Sequence, residues 1–183
     1  MRRALCSLAL LASLAGSLAA TDPPPARLAV GEMMPPLEGD LLSGTKAVLP
    51  AAARGRIALI ALGFSYDSRF PVEEWCGRFR AAFGSRAGVT LFEVPMLGGA
   101  ARMGRWFIDS GMRRNTPREL HDRVLTVYGS TGAWRQRLAV SDDTWAYLIL
   151  VDADGRVAWL HAGPFDATRF DELRQATGAL LAR

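Results

Sequence analysis

The residues of this chain that could do chemistry are few: Cys76, His121, His161 and a run of arginines in the second half. Cys76 stands in Trp75-Cys76-Gly77-Arg78-Phe79, a Cys-x-x-Cys disulfide pattern with phenylalanine where the second thiol would be. A lone thiolate could still attack a disulfide or a peroxide, but it would have to be a thiolate. That state is favoured in the first turn of a helix, where free amide donors and the helix dipole lower the thiol pKa. Pro71 to Glu74 fill the first turn of the helix expected here, so Cys76 falls in the second. It shares an apolar stripe with Trp75, Phe79 and Phe83, and burial there raises a thiol pKa. The residues therefore read as a buried structural cysteine, with a reactive thiol as the alternative.

The other candidates are weaker. Tyr66, Asp67 and Ser68 follow an apolar strand in a loop where a nucleophile could sit, but no histidine is close in sequence to serve as base. His161 ends a strand before Ala162-Gly163-Pro164, at a sheet edge where ligands often bind. Asp152-Ala153-Asp154-Gly155 opens like a calcium loop and then lacks the closing carboxylate, so it reads as a hairpin turn. With one cysteine and two distant histidines no zinc site is expected, and no residue pattern asks for an organic cofactor. Between Ala100 and Val140 stand Arg102, Arg105, Arg113, Arg114, Arg118, Arg123, Arg135 and Arg137 against Asp109, Glu119 and Asp122. Arg113, Arg114 and Arg118, with His161, are the candidate partner-binding residues: such a segment suits an acidic partner or the headgroups of an anionic membrane.

The ends set the compartment. Arg2 and Arg3 precede the apolar stretch Ala4 to Leu18, with small residues at Ala19 and Ala20. Residues 1–20 read as an export signal, or as an anchor if left uncleaved, and 21–30 as a proline-rich spacer ahead of one domain over 31–183. Export places the domain in the periplasm. The formal charge of +4 includes Arg2 and Arg3. The processed chain is thus only slightly basic, and no nucleic-acid footprint is expected. Cys6 lies in the apolar stretch, so after processing Cys76 is alone and no intramolecular disulfide can form.

The elements that must position these residues follow from periodicity. Residues 31–50 read as an irregular lead-in with turns at Pro35-Pro36, Glu38-Gly39-Asp40 and Ser43-Gly44. Ile57 to Gly63 is a continuous apolar run, as in a strand covered on both faces. A helix follows from about Pro71 with its stripe at Val72, Trp75, Cys76, Phe79, Ala82 and Phe83. Val89 to Val94 reads as a strand. Ala100 to Ser110 reads as a helix with Met103, Trp106 and Phe107 turned inward, Arg123 to Tyr128 as a third strand, and Trp134 to Leu138 as a short helix. Trp145 to Val151 and Arg156 to Leu160 make a hairpin about Gly155, and Asp166 caps a last helix with Phe170, Leu173, Thr177, Leu180 and Leu181 inward. The order is that of a thioredoxin-like α/β three-layer sandwich. It has a mixed central sheet and an extended helical segment between the second strand and the C-terminal hairpin.

The lead-in, with Val30-Gly31, Pro36-Leu37 and Leu42-Ser43-Gly44 followed by Leu49-Pro50 and Gly55-Arg56, resembles thioredoxin-like and peroxiredoxin-like proteins in general. Further resemblance lies in Phe64-Ser65, Val72-Glu73-Glu74-Trp75 with Phe79, Phe92-Glu93-Val94, and Tyr147-Leu148 leading to Val151-Asp152, Gly155-Arg156-Val157 and Trp159. Together these resemble the mitochondrial F-type ATP synthase assembly factor ten family, over about Met34 to Leu181. The resemblance implies a thioredoxin-like fold without redox turnover, used for binding or assembling a membrane-associated protein complex in a chaperone-like role. A second hallmark points the same way: no proline stands between Val140 and Val151, where thioredoxin-type sites place a cis-proline. The alternative is a one-cysteine thiol oxidoreductase or peroxidase acting through Cys76.

Overall fold

A computed structural model describes residues 25–129 and 131–183. The expected signal, with Cys6 and the first four residues of the spacer, lies outside the described residues. Two sheets organise the chain. The larger has the order β4-β3-β6-β7, built from β3 (Ile57–Gly63), β4 (Val89–Pro95), β6 (Ala146–Val151) and β7 (Val157–Gly163). β4 runs parallel to β3, while β6 and β7 are antiparallel to their neighbours, so the sheet is mixed. Both β3 and β6 are central and apolar along their length, because each of their faces is covered.

One face carries α1 (Arg69–Phe83) and α4 (Ala167–Leu181). Trp75, Cys76 and Phe79 of α1 and Leu173 of α4 meet Leu59, Ala61, Leu91, Leu148 and Leu150 of the sheet in one buried cluster. Complete burial of side chains of this size contributes about 1.5–3 kcal/mol each. Asp166 caps α4 as expected, its carboxylate accepting from the Arg169 amide at 2.8 Å. The other face is covered by a small sheet of order β2-β1-β5, built from β1 (Leu37–Leu41), β2 (Lys46–Leu49) and β5 (Leu125–Thr126), and by Trp134 of α3 (Gly132–Arg137). The result is a thioredoxin-like α/β sandwich with a mixed central sheet. The helical segment expected between β4 and the final hairpin is present: a 3-10 turn at Ala100–Gly104, α2 (Arg105–Asn115), a second 3-10 turn at Arg118–Arg123, and α3.

Four expectations are corrected. The lead-in is not irregular: β1 (Leu37–Leu41) and β2 (Lys46–Leu49) form an antiparallel hairpin. Gly39, taken as a turn residue, lies within β1, because a Cβ there would come within 2.8 Å of Leu125 Cγ and of the Thr126 carbonyl. The third strand shortens to β5 (Leu125–Thr126) and pairs with β1 rather than joining the central sheet, though Val124 and Val127 still touch the outer side of β4. Packing also begins inside the expected spacer, where Leu28 is buried and its amide donates to the Arg137 carbonyl at 2.9 Å. The fourth correction concerns the segment read as one helix, which is a 3-10 turn followed by α2: its Met103, Trp106 and Phe107 point outward.

Candidate functional site

Cys76 is the free cysteine of the described residues, 1% exposed on the inner face of α1. The helix starts at Arg69, so Cys76 lies seven residues in, at the end of the second turn and away from the free amides. Burial pushes its thiol well above the usual range. The Glu93 carboxylate adds to that, the Arg80 guanidinium opposes it, and Glu73 adds a smaller upward push. At neutral pH the resting state is therefore a covered, protonated thiol.

Arg80 and Glu93 give this thiol a charged setting. Arg80 follows Cys76 by four residues and so shares its side of α1. On β4, alternation sends Leu91 and Glu93 toward α1 while Phe92 and Val94 enter the opposite core. Glu93 thus reaches the helix layer, and Arg80 Nη2 donates to its Oε1 at 2.8 Å. Burial raises the Glu93 pKa, with Arg80 opposing. Beside the pair a groove of about 210 Å³ opens at the outer edge of β4, lined among others by Phe79, Arg80, Phe83, Thr90 and Arg123. A carboxylate in an otherwise apolar strand was the available signal for Glu93, and the four-residue spacing was the signal for Arg80.

The loop from β3 into α1 is closed on itself. Ser68 is buried; its hydroxyl donates to the Ser65 carbonyl at 2.7 Å, and its amide donates to Ser65 Oγ at 3.2 Å. Ser65 Oγ in turn donates to the Asp143 carbonyl at 2.7 Å. Gly63 permits this turn, since a Cβ there would sit 2.5 Å from Ser68 Oγ. Ser68 is therefore a structural residue with no base on it. Asp67 is exposed, and Tyr66 and Phe70 stand at the surface with the Arg69 guanidinium 4.4 Å and 4.5 Å from their ring centres.

His161 faces the helix layer in an aromatic cluster, with ring centres 5.4 Å from Trp75 and 5.7 Å from Trp159. Burial lowers its pKa, as does Arg169, while Asp166 and Glu172 act the other way. Arg113 is engaged rather than free, its Nε donating to the Leu42 carbonyl at 2.7 Å. Arg114 and Arg118 are exposed. The four candidate partner-binding residues are not brought together. His161 is on β7, at one edge of the central sheet, whereas α2 fastens to β1 of the small sheet. The cis bond among the described residues is Leu49–Pro50, distant in sequence from the entry to β6.

No protein-family model and no curated protein sequence matches the chain. Solved structures match in fold. A thiol:disulfide interchange protein of the DsbE type from Chlorobium tepidum aligns with a TM-score of 0.58 at 19% identity, over 84% of this chain and 99% of its own. BsSco, of the Sco family of cytochrome c oxidase assembly proteins, aligns with a TM-score of 0.55 at 11% identity, over 83% of this chain and 97% of its own. A peroxiredoxin-like protein from Aquifex aeolicus aligns with a TM-score of 0.55 at 14% identity, over 84% and 90% respectively. At such identities the likeness establishes the thioredoxin-like fold. It also corrects the expected kinship: these neighbours are thiol:disulfide, Sco and peroxiredoxin-like proteins, not ATP synthase assembly factors. The non-redox assembly role inferred from that resemblance is withdrawn with it.

Proposed function

We propose that this chain is an exported thioredoxin-fold protein of the thiol-redox kind that acts through Cys76 on a protein partner. The observation that carries the reading is the Arg80–Glu93 pair acting on the one thiol of the described fold. Buried thiols with a purely structural role need only an apolar slot. Here a guanidinium that favours the thiolate is held one turn away and is outweighed at rest by the carboxylate it pairs with. The step such a thiol can perform alone is exchange: the Cys76 thiolate attacks one sulfur of a partner disulfide, a mixed disulfide forms, and the partner's other sulfur leaves as a thiolate. The thiol proton goes to solvent or to Glu93. Because Cys76 is covered at rest, the exchange requires α1 to lift locally from the sheet.

Native-state labelling tests this. An aromatic disulfide reagent and an alkylating agent are applied to the folded chain across pH, with and without denaturant, and the Cys76→Ser variant accounts for any signal from Cys6. Labelling of Cys76 below the unfolding transition, with capture as a mixed disulfide, is the expected outcome. Labelling that appears only with global unfolding overturns the proposal. Contact with a membrane surface is a second part of the reading, and it is favoured by the outward face of α2.

A further inference from the structure

Helix α2 has its polarity reversed. A surface helix ordinarily turns apolar residues to the core and charges to water. Here Met103 is 99% exposed, Phe107 75% and Trp106 69%. The two rings pack edge-on against each other, with centres 4.8 Å apart. Phe107 and Arg114 stand seven apart on α2, with Trp106 alongside and the exposed Met103 in the 3-10 turn just ahead of the helix, so one outward surface carries the apolar groups and Arg114.

The inward side is polar and fixes the rotation of the helix. Asp109 is buried and accepts from Tyr128 Oη at 2.6 Å. Arg105 bridges to Asp40 at 3.2 Å and to Asp109 at 3.7 Å, and Arg113 donates to the Leu42 carbonyl. These contacts come from α2 to β1, to the residue that follows it, and to the chain after β5. Turning Trp106 and Phe107 inward would break all of them and bury Arg114. The apolar stripe faces out because the polar side is anchored.

Contiguous exposed apolar groups beside basic ones mark a docking surface. Charge selects the occupant. The segment from Ala100 to Val140 carries eight arginines against three acidic residues, and Arg114 and Arg118 are exposed. A second copy would set this basic stripe against its own like charge. The apolar stretch near the N-terminus brings Arg2 and Arg3, again of the same sign. An anionic lipid surface satisfies both halves, since Trp and Phe settle at the headgroup level and arginines pair with phosphates.

We propose that the outward face of α2 and the 3-10 turns that flank it dock on anionic phospholipid, with Met103, Trp106 and Phe107 entering the interface and Arg114 and Arg118 on the headgroups. This deepens the membrane part of the proposed function and is independent of the thiol part. The probe is vesicles of phosphatidylglycerol and phosphatidylcholine, against phosphatidylcholine alone, added to the full chain and to its Trp106→Phe variant. The wild-type spectrum minus the variant spectrum isolates Trp106 from the other tryptophans and from anything the N-terminal stretch does. Expected are a blue shift of that difference emission on anionic vesicles only, its reversal by high salt, and about tenfold or greater loss of vesicle partitioning in Arg114→Glu. Unshifted Trp106 emission while the chain sediments with vesicles overturns the proposal, because the N-terminal stretch is then the only contact. A concentration-dependent shift without vesicles also overturns it in favour of self-association. So does a shift with polyglutamate but not with lipid, in favour of an acidic protein. Cys76 labelling of the same variants is expected to match wild type, which keeps a failure here separate from a failure of the thiol reading.

Discussion

The Arg80 guanidinium lies 2.8 Å from the Glu93 carboxylate, and both act on the Cys76 thiol with opposite sign. Burial holds the thiol from ionisation first, and the pair adjusts how far. Glu93→Gln removes a negative charge that raises the Cys76 pKa and leaves Arg80 without its carboxylate partner. Native alkylation is expected to speed up and its pH midpoint to move down. Arg80→Ala is expected to do the reverse, leaving Glu93 uncompensated and slowing the reaction at every pH below the midpoint. A pH–rate profile for the two variants decides it; the same midpoint in both would show that the pair does not reach the thiol.

The Cys76 slot is apolar, so substitutions there report on packing as well as on chemistry. Cys76→Ala deletes one sulfur from the cluster of Trp75, Phe79 and Leu148. It is expected to cost roughly 1 kcal/mol, at the small end of cavity-forming changes. Cys76→Ser puts a hydroxyl in the same slot, with an expected cost of about 1–3 kcal/mol. Urea unfolding monitored by tryptophan emission measures both. Serine behaving like alanine would show that the hydroxyl finds a partner inside the helix layer.

Much of this architecture is legible in the sequence, and what was misread has a physical cause. Continuous apolar runs at Ile57 to Gly63 and Ala146 to Val151, the Gly155 hairpin and the Asp166 cap are local signals that tertiary packing does not override. Glu38-Gly39-Asp40 misled because glycine served close approach to Leu125 and Thr126 rather than a turn. α2 misled because amphipathicity gives the two faces of a helix and not which one faces the protein. That choice was made by Tyr128, Asp40 and the Leu42 carbonyl, none of which is local to the helix. Burial of Cys76 was readable from its stripe, whereas its company with Glu93 needed the β3–β4 pairing. The family resemblance failed because its motifs belonged to the fold.

Gly39→Ala tests the close approach directly. The new Cβ meets Leu125 Cγ and the Thr126 carbonyl at 2.8 Å, and the second of these is backbone that cannot rotate away. An expected loss of about 1–3 kcal/mol follows from overpacking. The damage should localise to the β1–β5 contact, so amide exchange at Leu125 and Thr126 is expected to rise before that of β3.

His161 supplies a pH signature. Its pKa is lowered from 6.5, first by burial and then by Arg169, so the folded state prefers the neutral ring. Stability from this group is therefore present above the unfolded value of about 6.5 and is lost as pH falls through the lower folded value. Asp166 and Glu172 temper the effect, and the ring is partly solvated, so a modest slope is expected. Comparing Tm at pH 7.5 and pH 5 in wild type and His161→Phe isolates it from other groups. The variant is expected to lose less on acidification, and an equal loss in both would exclude His161 as the source.

The Asp109–Tyr128 bond gives a last prediction, because it holds the outward stripe in place. Tyr128→Phe removes the donor and leaves a buried carboxylate with the Arg105 contact at 3.7 Å, so an expected cost of about 1–3 kcal/mol follows. Asp109→Asn keeps a hydrogen-bonding group of the same shape but loses the charge that Arg105 faces, and it is expected to cost less. Both variants should loosen α2 while leaving the central sheet intact. In Tyr128→Phe, amide exchange along α2 is expected to rise, and the Trp106 emission without lipid is expected to shift as the Trp106–Phe107 contact becomes mobile. Unchanged exchange in α2 with a global loss of stability would place the bond's role in the core rather than in the orientation of the helix.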